Sequence, residues 1–263
     1  MRADHVSLCN RYNDDQTPMT DRPFYIHGCS HASGAELPGD SGDGLVRNMS
    51  WCNQTAQQLG FTRVVNHAVP CSSNPYIIKE TMKWCAENYK QDPFVLISWT
   101  GTDRLYMQAE RQKNRNRDSV IRLTPGCLAN PPREAAPELV QMYRELLLTE
   151  WGDWRAIQTR FLQEILVLQT FLDKLKLKYL FVTSITPLDS WITQREQPQA
   201  AIRQMLNTKR MYRGFSQDHD GVYWQSCLKR FPDEVAPNQH IGPQGQLWYS
   251  HEITDYLTKQ NLL

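Results

Sequence analysis

Three observations predict an α/β chain, a three-layer α/β/α sandwich around a central parallel sheet. Short apolar runs alternate with segments of helical periodicity through most of the sequence, the pattern of strand–helix–strand units. The run "PFVLISW" (93–99) is apolar on both faces, as an internal parallel strand must be. With 263 residues, of which 40% are apolar, the chain can enclose a sizeable core.

The elements follow in order. Residues 1–21 are polar and aperiodic and read as an N-terminal arm ahead of one domain at 22–263. Residues 23–27 form a short buried strand. In "GLVRNMSWCNQTAQQLG" (44–60) Val46, Met49, Trp51, Cys52, Ala56 and Leu59 recur near helical spacing, and Gly60 is a stop signal. "FTRVVNHAV" (61–69) is a second strand, and "SNPYIIKETMKWCAENY" (73–89) a helix opened by Ser73 and Asn74. The third strand is 93–99. From about 104 to 136 the chain is polar and broken by prolines, an excursion rather than core; its "RQKNRNR" (111–117) reads as a solvated loop more readily than as a polyanion contact. Helices are expected at 137–148 and 151–175, the second with a buried stripe of Trp154, Ile157, Phe161, Ile165, Leu168 and Leu172. "KYLFVTSI" (178–185) is a fourth strand, 187–235 is mixed, and an amphipathic helix at 244–259 closes the chain.

Composition narrows the function classes. A net charge of +1 supplies no field that would draw the chain onto nucleic acid or anionic lipid. No apolar run approaches the length of a membrane span, and the first residues lack the apolar core of an export signal, so a cytoplasmic protein is expected. The seven cysteines have no paired zinc-type spacing and read as reduced, mostly buried thiols. No HExxH or CxxC pair occurs, and His27 with His31 would need a helix to share a metal, so neither metal nor cofactor is expected.

In parallel sheets the working residues gather at the carboxyl ends of strands. That rule brings together the turn of "YIHGCSHASGAE" (25–36), the "PCSSN" turn (70–74) and the "WTGTD" turn (99–103). Ser30, just after the first strand, is the candidate nucleophile. A serine hydroxyl is a poor nucleophile until a base takes its proton. Of the seven histidines, His27 and His67 belong to strand ends and read as packing, and His31 follows the serine too closely to face it from a turn. His5 lies in the arm, His219 in an acidic surface loop and His251 in the last helix. His240 sits in a loop bounded by proline and glycine just before that helix, held yet exposed, and suits a general base.

These segments resemble the SGNH (GDSL-like) hydrolase superfamily, in particular phage and bacterial members that open with "GCSxxxG". Here that block is Gly28-Cys29-Ser30-His31-Ala32-Ser33-Gly34. A second block, "NxAxxGxSN", is similar to residues 66–74, and a last one, "DGHPNxxGHxxWAxxI", to the segment from Asn238 to Trp248. The resemblance spans about residues 23 to 257 and implies the flavodoxin-like fold of that superfamily, with Ser30 as nucleophile and His240 as base. The family's orienting aspartate is absent: Asn238 and Pro237 stand in its place. Asn238 can hold an imidazole tautomer without stabilising its charge, while Asp233 or Glu234 folding back is the other option. The implied oxyanion donors are the backbone N–H of Ser30, that of Cys71 at a family glycine (provided the turn does not demand positive φ), and an asparagine side chain whose position is taken by Gly101. Thr100, Thr102 or Asn74 are candidate replacements. Related members carry a "WTxxxR" third block, as here at Trp99–Arg104.

Two functions follow from the resemblance. One is a serine esterase or deacylase working through an acyl-enzyme on a small ester or an acylated glycan such as an O-acetylated carbohydrate. The other is a catalytically weakened SGNH-fold protein serving as a structural or binding component, in a phage particle for example, with other virion proteins as partners; the substitutions at 71, 101 and 238 favour it. A nucleic-acid-binding role rests on "RQKNRNR" and the tryptophans alone, and near-zero charge argues against it.

Overall fold

The computed structural model describes residues 21–37, 45–108, 120–123, 128, 137–149, 154–185, 197–212, 222–236 and 240–263. The expected arm at 1–21, apart from Asp21, lies outside these residues, as do "RQKNRNR", His5, His219, Pro237 and Asn238.

Four parallel strands make the central sheet: β1 (Phe24–His27), β2 (Val64–Asn66), β3 (Phe94–Trp99) and β6 (Lys178–Thr183), in the order β2-β1-β3-β6. Register is continuous across it, with Phe24 opposite both Val64 and Phe94, and Phe94 opposite Lys178. Because successive side chains on a strand point to opposite faces, the sheet feeds two cores. Phe24, Ile26, Phe94, Leu96, Leu180 and Val182 pack on one face, under α2 (Trp51–Gln58), α7 (Tyr223–Arg230) and α8 (Pro243–Lys259). Tyr25, Val95, Ile97, Tyr179 and Phe181 pack on the other, under α3 (Asn74–Asn88), α5 (Trp154–Lys174) and α6 (Gln197–Met205). The expected α/β/α sandwich is therefore the observed one. β3 is buried along its whole length; each such apolar side chain contributes about 1.5–3 kcal/mol.

Helix starts follow local chemistry. Pro75 stands in the first turn of α3 behind its N-cap Ser73, where the missing N–H costs nothing. Phe161, Ile165, Leu168 and Leu172 of the expected α5 stripe are in the core; Trp154 opens the helix.

Two differences from the sequence reading have physical reasons. The helix expected over 44–60 is split: a 3₁₀ segment, Leu45–Met49, gives way to α2 at Ser50, whose hydroxyl caps the new helix by accepting from Asn53 N–H. Serine competes with the backbone for hydrogen bonds and prefers that boundary to a helix interior. The excursion at 104–136 also holds structure: β4 (Leu105–Gln108) and β5 (Val120–Leu123) pair antiparallel, and Leu123 is fully buried. α4 (Pro137–Leu148) follows, and Tyr143 Oη donates to the carbonyl of Asp103 at 2.6 Å. No helix among the described residues is long and apolar enough to cross a membrane.

β1 connects outward to β2 on one side and is flanked by β3 on the other. Their carboxyl ends form the topological switch point, where open α/β sheets place their sites.

Candidate functional site at the carboxyl end of the sheet

The chain leaves β1 through Gly28 into α1, one turn at Ser30–Ser33. A Cβ at Gly28 would lie 2.8 Å from the Cβ atoms of both Ala32 and Ser98, so only glycine lets the turn press onto β3. α1 ends at Gly34 with φ 78°, the left-handed C-cap that glycine adopts at least cost. The Ser30 carbonyl accepts from Ser33 Oγ at 3.0 Å and from Ala35 N–H at 3.2 Å. Both glycines of the first motif thus have structural reasons, and they fix Ser30 in a tight turn with 7% of its surface exposed.

The second block braces this turn. Asn66, at the end of β2, donates to the carbonyl of Ala32 at 3.0 Å and to Asn53 Oδ1 at 2.6 Å, and accepts from Ala68 N–H at 2.9 Å. Val69 N–H bonds to the Gly28 carbonyl at 3.1 Å. Pro70 and Cys71 then occupy the two central positions of a turn closed from Ser72 N–H to the Val69 carbonyl, 3.2 Å. Cys71 is exposed and takes φ 61°. The turn does demand the positive φ that would suit glycine, contrary to the condition under which an ordinary residue fits there unstrained.

The third block ends β3. The Asn74 amide clamps it, accepting from Thr100 N–H at 3.0 Å and donating to the Thr100 carbonyl at 3.4 Å. Thr100 is 1% exposed, and its hydroxyl has no hydrogen-bond partner among the described residues. At Gly101 a Cβ would lie 2.5 Å from Asp103 Oδ1: the Asp103 carboxylate takes the room a side chain would need.

His240 arrives from the far end of the chain. Its carbonyl accepts from Ala236 N–H at 2.9 Å, and Val235 and Ile241 form an antiparallel bridge. Gln246, in α8, accepts from Trp51 N–H at 2.8 Å and donates to the Ile241 carbonyl at 3.1 Å, tying the loop to α2. The histidine ring stands 4.9 Å, centroid to centroid, from that of His31. Its Nδ1 lies 2.6 Å from Glu36 Oε2. Both side chains are largely buried, 14% and 23% exposed.

Glu36 was not singled out in the sequence. It is six residues after Ser30, and the left-handed conformations of Gly34 and of Glu36 itself (φ 62°) turn the chain back so that its carboxylate meets the histidine. Asn238 lies outside the described residues. Glu234 is committed elsewhere: its Oε2 accepts from Gln244 and Gly245 N–H at 2.8 and 3.2 Å and caps α8. The only signal in the sequence was a carboxylate within the motif segment.

His31 is packed rather than splayed away. Its ring lies against Tyr223 at 5.5 Å and against His240, and its Nδ1 is buried without a partner among the described residues. Burial first, then the His240 ring and the Arg104 charge, hold it well below the usual histidine range, so it is neutral. His27 is buried, its Nδ1 accepting from Gly28 N–H at 2.8 Å, whereas His67, just past β2, stands edge-on to Tyr25 but is exposed. Of the cysteines, 29, 52, 85 and 227 are buried free thiols, and burial raises Cys52, Cys85 and Cys227.

Solved structures of similar layout include the psychrotrophic esterase EstA from Pseudoalteromonas sp., at 11% identity and a TM-score of 0.45 over 91% of this chain and 98% of that one. TesA aligns at 11% identity and 0.45 over 90% and 99%. Axe2, an acetylxylan esterase from Geobacillus stearothermophilus, aligns at 10% identity and 0.44 over 92% and 96%. No curated protein matches the chain in sequence. A family model matches residues 35–262, from α2 to the last helix but short of β1 and the Ser30 turn, and the chain belongs to that family, DUF6071, described as a family of unknown function.

Proposed function

We propose that this protein is a serine ester hydrolase in which Ser30 is the nucleophile, His240 the general base and Glu36 the group that orients it. The observation that carries the reading is the contact between His240 Nδ1 and Glu36 Oε2 at 2.6 Å, beside the turn that holds Ser30. A carboxylate on Nδ1 fixes the tautomer that leaves Nε2 free to accept a proton, and it stabilises the imidazolium that forms.

The steps are those of acyl transfer. His240 Nε2 takes the proton of Ser30 Oγ as the oxygen attacks the ester carbonyl, and the carbonyl oxygen becomes an oxyanion. The C–O bond to the alcohol breaks, and the alkoxide leaves with the proton returned by His240. Water, deprotonated by the same ring, then attacks the acyl-enzyme and releases the acid and free Ser30. The backbone N–H groups of Ser30 and Cys71 are the proposed oxyanion donors, with Thr100 beside them. The first-turn N–H of α1 is without an intrahelical acceptor by geometry. Asn74 holds the Thr100 backbone and is not assigned a donor role.

A second reading, a binding protein on the same scaffold, is favoured by the strained Cys71 and by Gly101, which offers no side-chain donor. Fluorophosphonate labelling and p-nitrophenyl acetate hydrolysis separate the two. The hydrolase labels at Ser30 and turns over, and Ser30→Ala and His240→Ala abolish both signals. A folded wild type that neither labels nor turns over leaves the binding role.

A further inference from the structure

Arg104 is the last residue of the "WTGTDR" segment, two past Thr102 and three past Gly101. The residue is partly buried. Its Nη1 donates to the carbonyl of Ser72, a long bond of 3.4 Å to the residue after Cys71. Its Nε lies 3.8 Å from where a Cβ of Gly101 would stand. Its charge is also felt at His31, the residue after Ser30. The guanidinium therefore sits among the three turns that carry Ser30, Cys71 and Gly101.

Three other partly buried arginines each make at least two contacts. Arg47 donates to the carbonyls of Asn66 and Ala68, Arg160 to that of Thr102 while pairing with Glu164, and Arg210 to those of Tyr179 and Leu262. Among the described residues Arg104 has the single long bond to Ser72 and no carboxylate within ion-pair distance; Asp103 directs its oxygen at Gly101 instead. A guanidinium carries five donors, so Arg104 keeps several in hand beside the Ser72 carbonyl and Gly101.

We infer that Arg104 is a catalytic residue that donates to the oxyanion of the tetrahedral intermediate, in place of a side-chain donor at position 101. This rests on the hydrolase reading above. A preorganised donor at that point acts where charge appears only in the transition state, so its loss lowers kcat rather than raising KM. The full positive charge compensates for the strained Cys71 turn and the bare Gly101.

The test uses the full chain, with Arg104→Gln and Arg104→Lys compared to wild type on p-nitrophenyl acetate and on the anionic ester mono-p-nitrophenyl succinate. The expected result is a fall in kcat of about 10²- to 10³-fold for Arg104→Gln on both esters, with KM nearly constant and partial recovery in Arg104→Lys. Fluorophosphonate labelling, which builds a tetrahedral anion on Ser30, slows in parallel, and thermal melting reports that the variants fold. Wild-type kcat in Arg104→Gln overturns the inference while leaving the hydrolase intact. A loss confined to the succinate ester and seen in KM overturns it in favour of substrate-charge recognition. Wild type inert to both esters and to the fluorophosphonate overturns the hydrolase reading and Arg104's role with it.

Discussion

His240 Nδ1 and Glu36 Oε2 meet at 2.6 Å across 204 residues of sequence. The contact joins the first turn of the sheet to the last loop of the chain, and it supplies the negative charge that Asn238 cannot. Replacing Glu36 by Gln keeps the shape and removes the charge, so kcat should fall by about 10²- to 10⁴-fold with little change in KM. Glu36→Asp should recover part of the loss, and Asn238→Ala should cost less than Glu36→Gln. Steady-state kinetics on p-nitrophenyl acetate decide it; the reverse ranking returns the orienting role to Asn238.

The Cys71 turn stores strain. A non-glycine residue at positive φ costs about 1–2 kcal/mol, and the exposed thiol gives little packing in return. Cys71→Gly should therefore stabilise the fold by about 0.5–1 kcal/mol once the extra freedom of glycine in the unfolded chain is subtracted. Urea unfolding measures it through the midpoint. A destabilised variant means that the side chain holds the turn.

How far the sequence is legible depends on how each element is specified. β3, β6 and α5 are readable because their apolar pattern is dictated by burial alone, with β3 enclosed on both faces and α5 on one stripe. β4 and β5 are four residues each within a polar stretch of sequence, too short for periodicity to show, and nothing in that stretch marks Leu123 as buried. The break at Ser50 was within reach of capping rules, but the apolar spacing runs through it and hides it. At the site, the positions of Ser30 and His240 follow from strand ends and a helix start. Glu36 does not, because its approach to His240 depends on two left-handed residues whose backbone no periodicity reveals.

His31 gives the fold a pH dependence whose sign can be worked out. It is held neutral by burial, by His240 and by Arg104, with Tyr223 as its other neighbour. Its folded pKa lies below its unfolded one, so on acidification the unfolded chain takes up the proton first. The stability it contributes is present above the usual histidine pKa of 6.5 and is lost as pH falls below it. His67, lowered by burial and by Arg47, acts in the same direction. Glu164 acts in the opposite one: burial pushes it up to about 7 against the pull of Arg160, so the folded chain binds the extra proton and stability falls as pH rises toward 7. The raw wild-type curve is the sum of these, so the informative quantity is the difference between wild type and His31→Asn, measured by urea unfolding from about pH 5 to 8. Because the unfolded chain takes up the proton first, wild type should gain on the variant as pH rises from about 5 to 7 and gain nothing further above. The same difference measured in a Glu164→Gln background should be unchanged, since Glu164 titrates alike in both. Parallel curves for wild type and His31→Asn would show that His31 protonates as readily folded as unfolded.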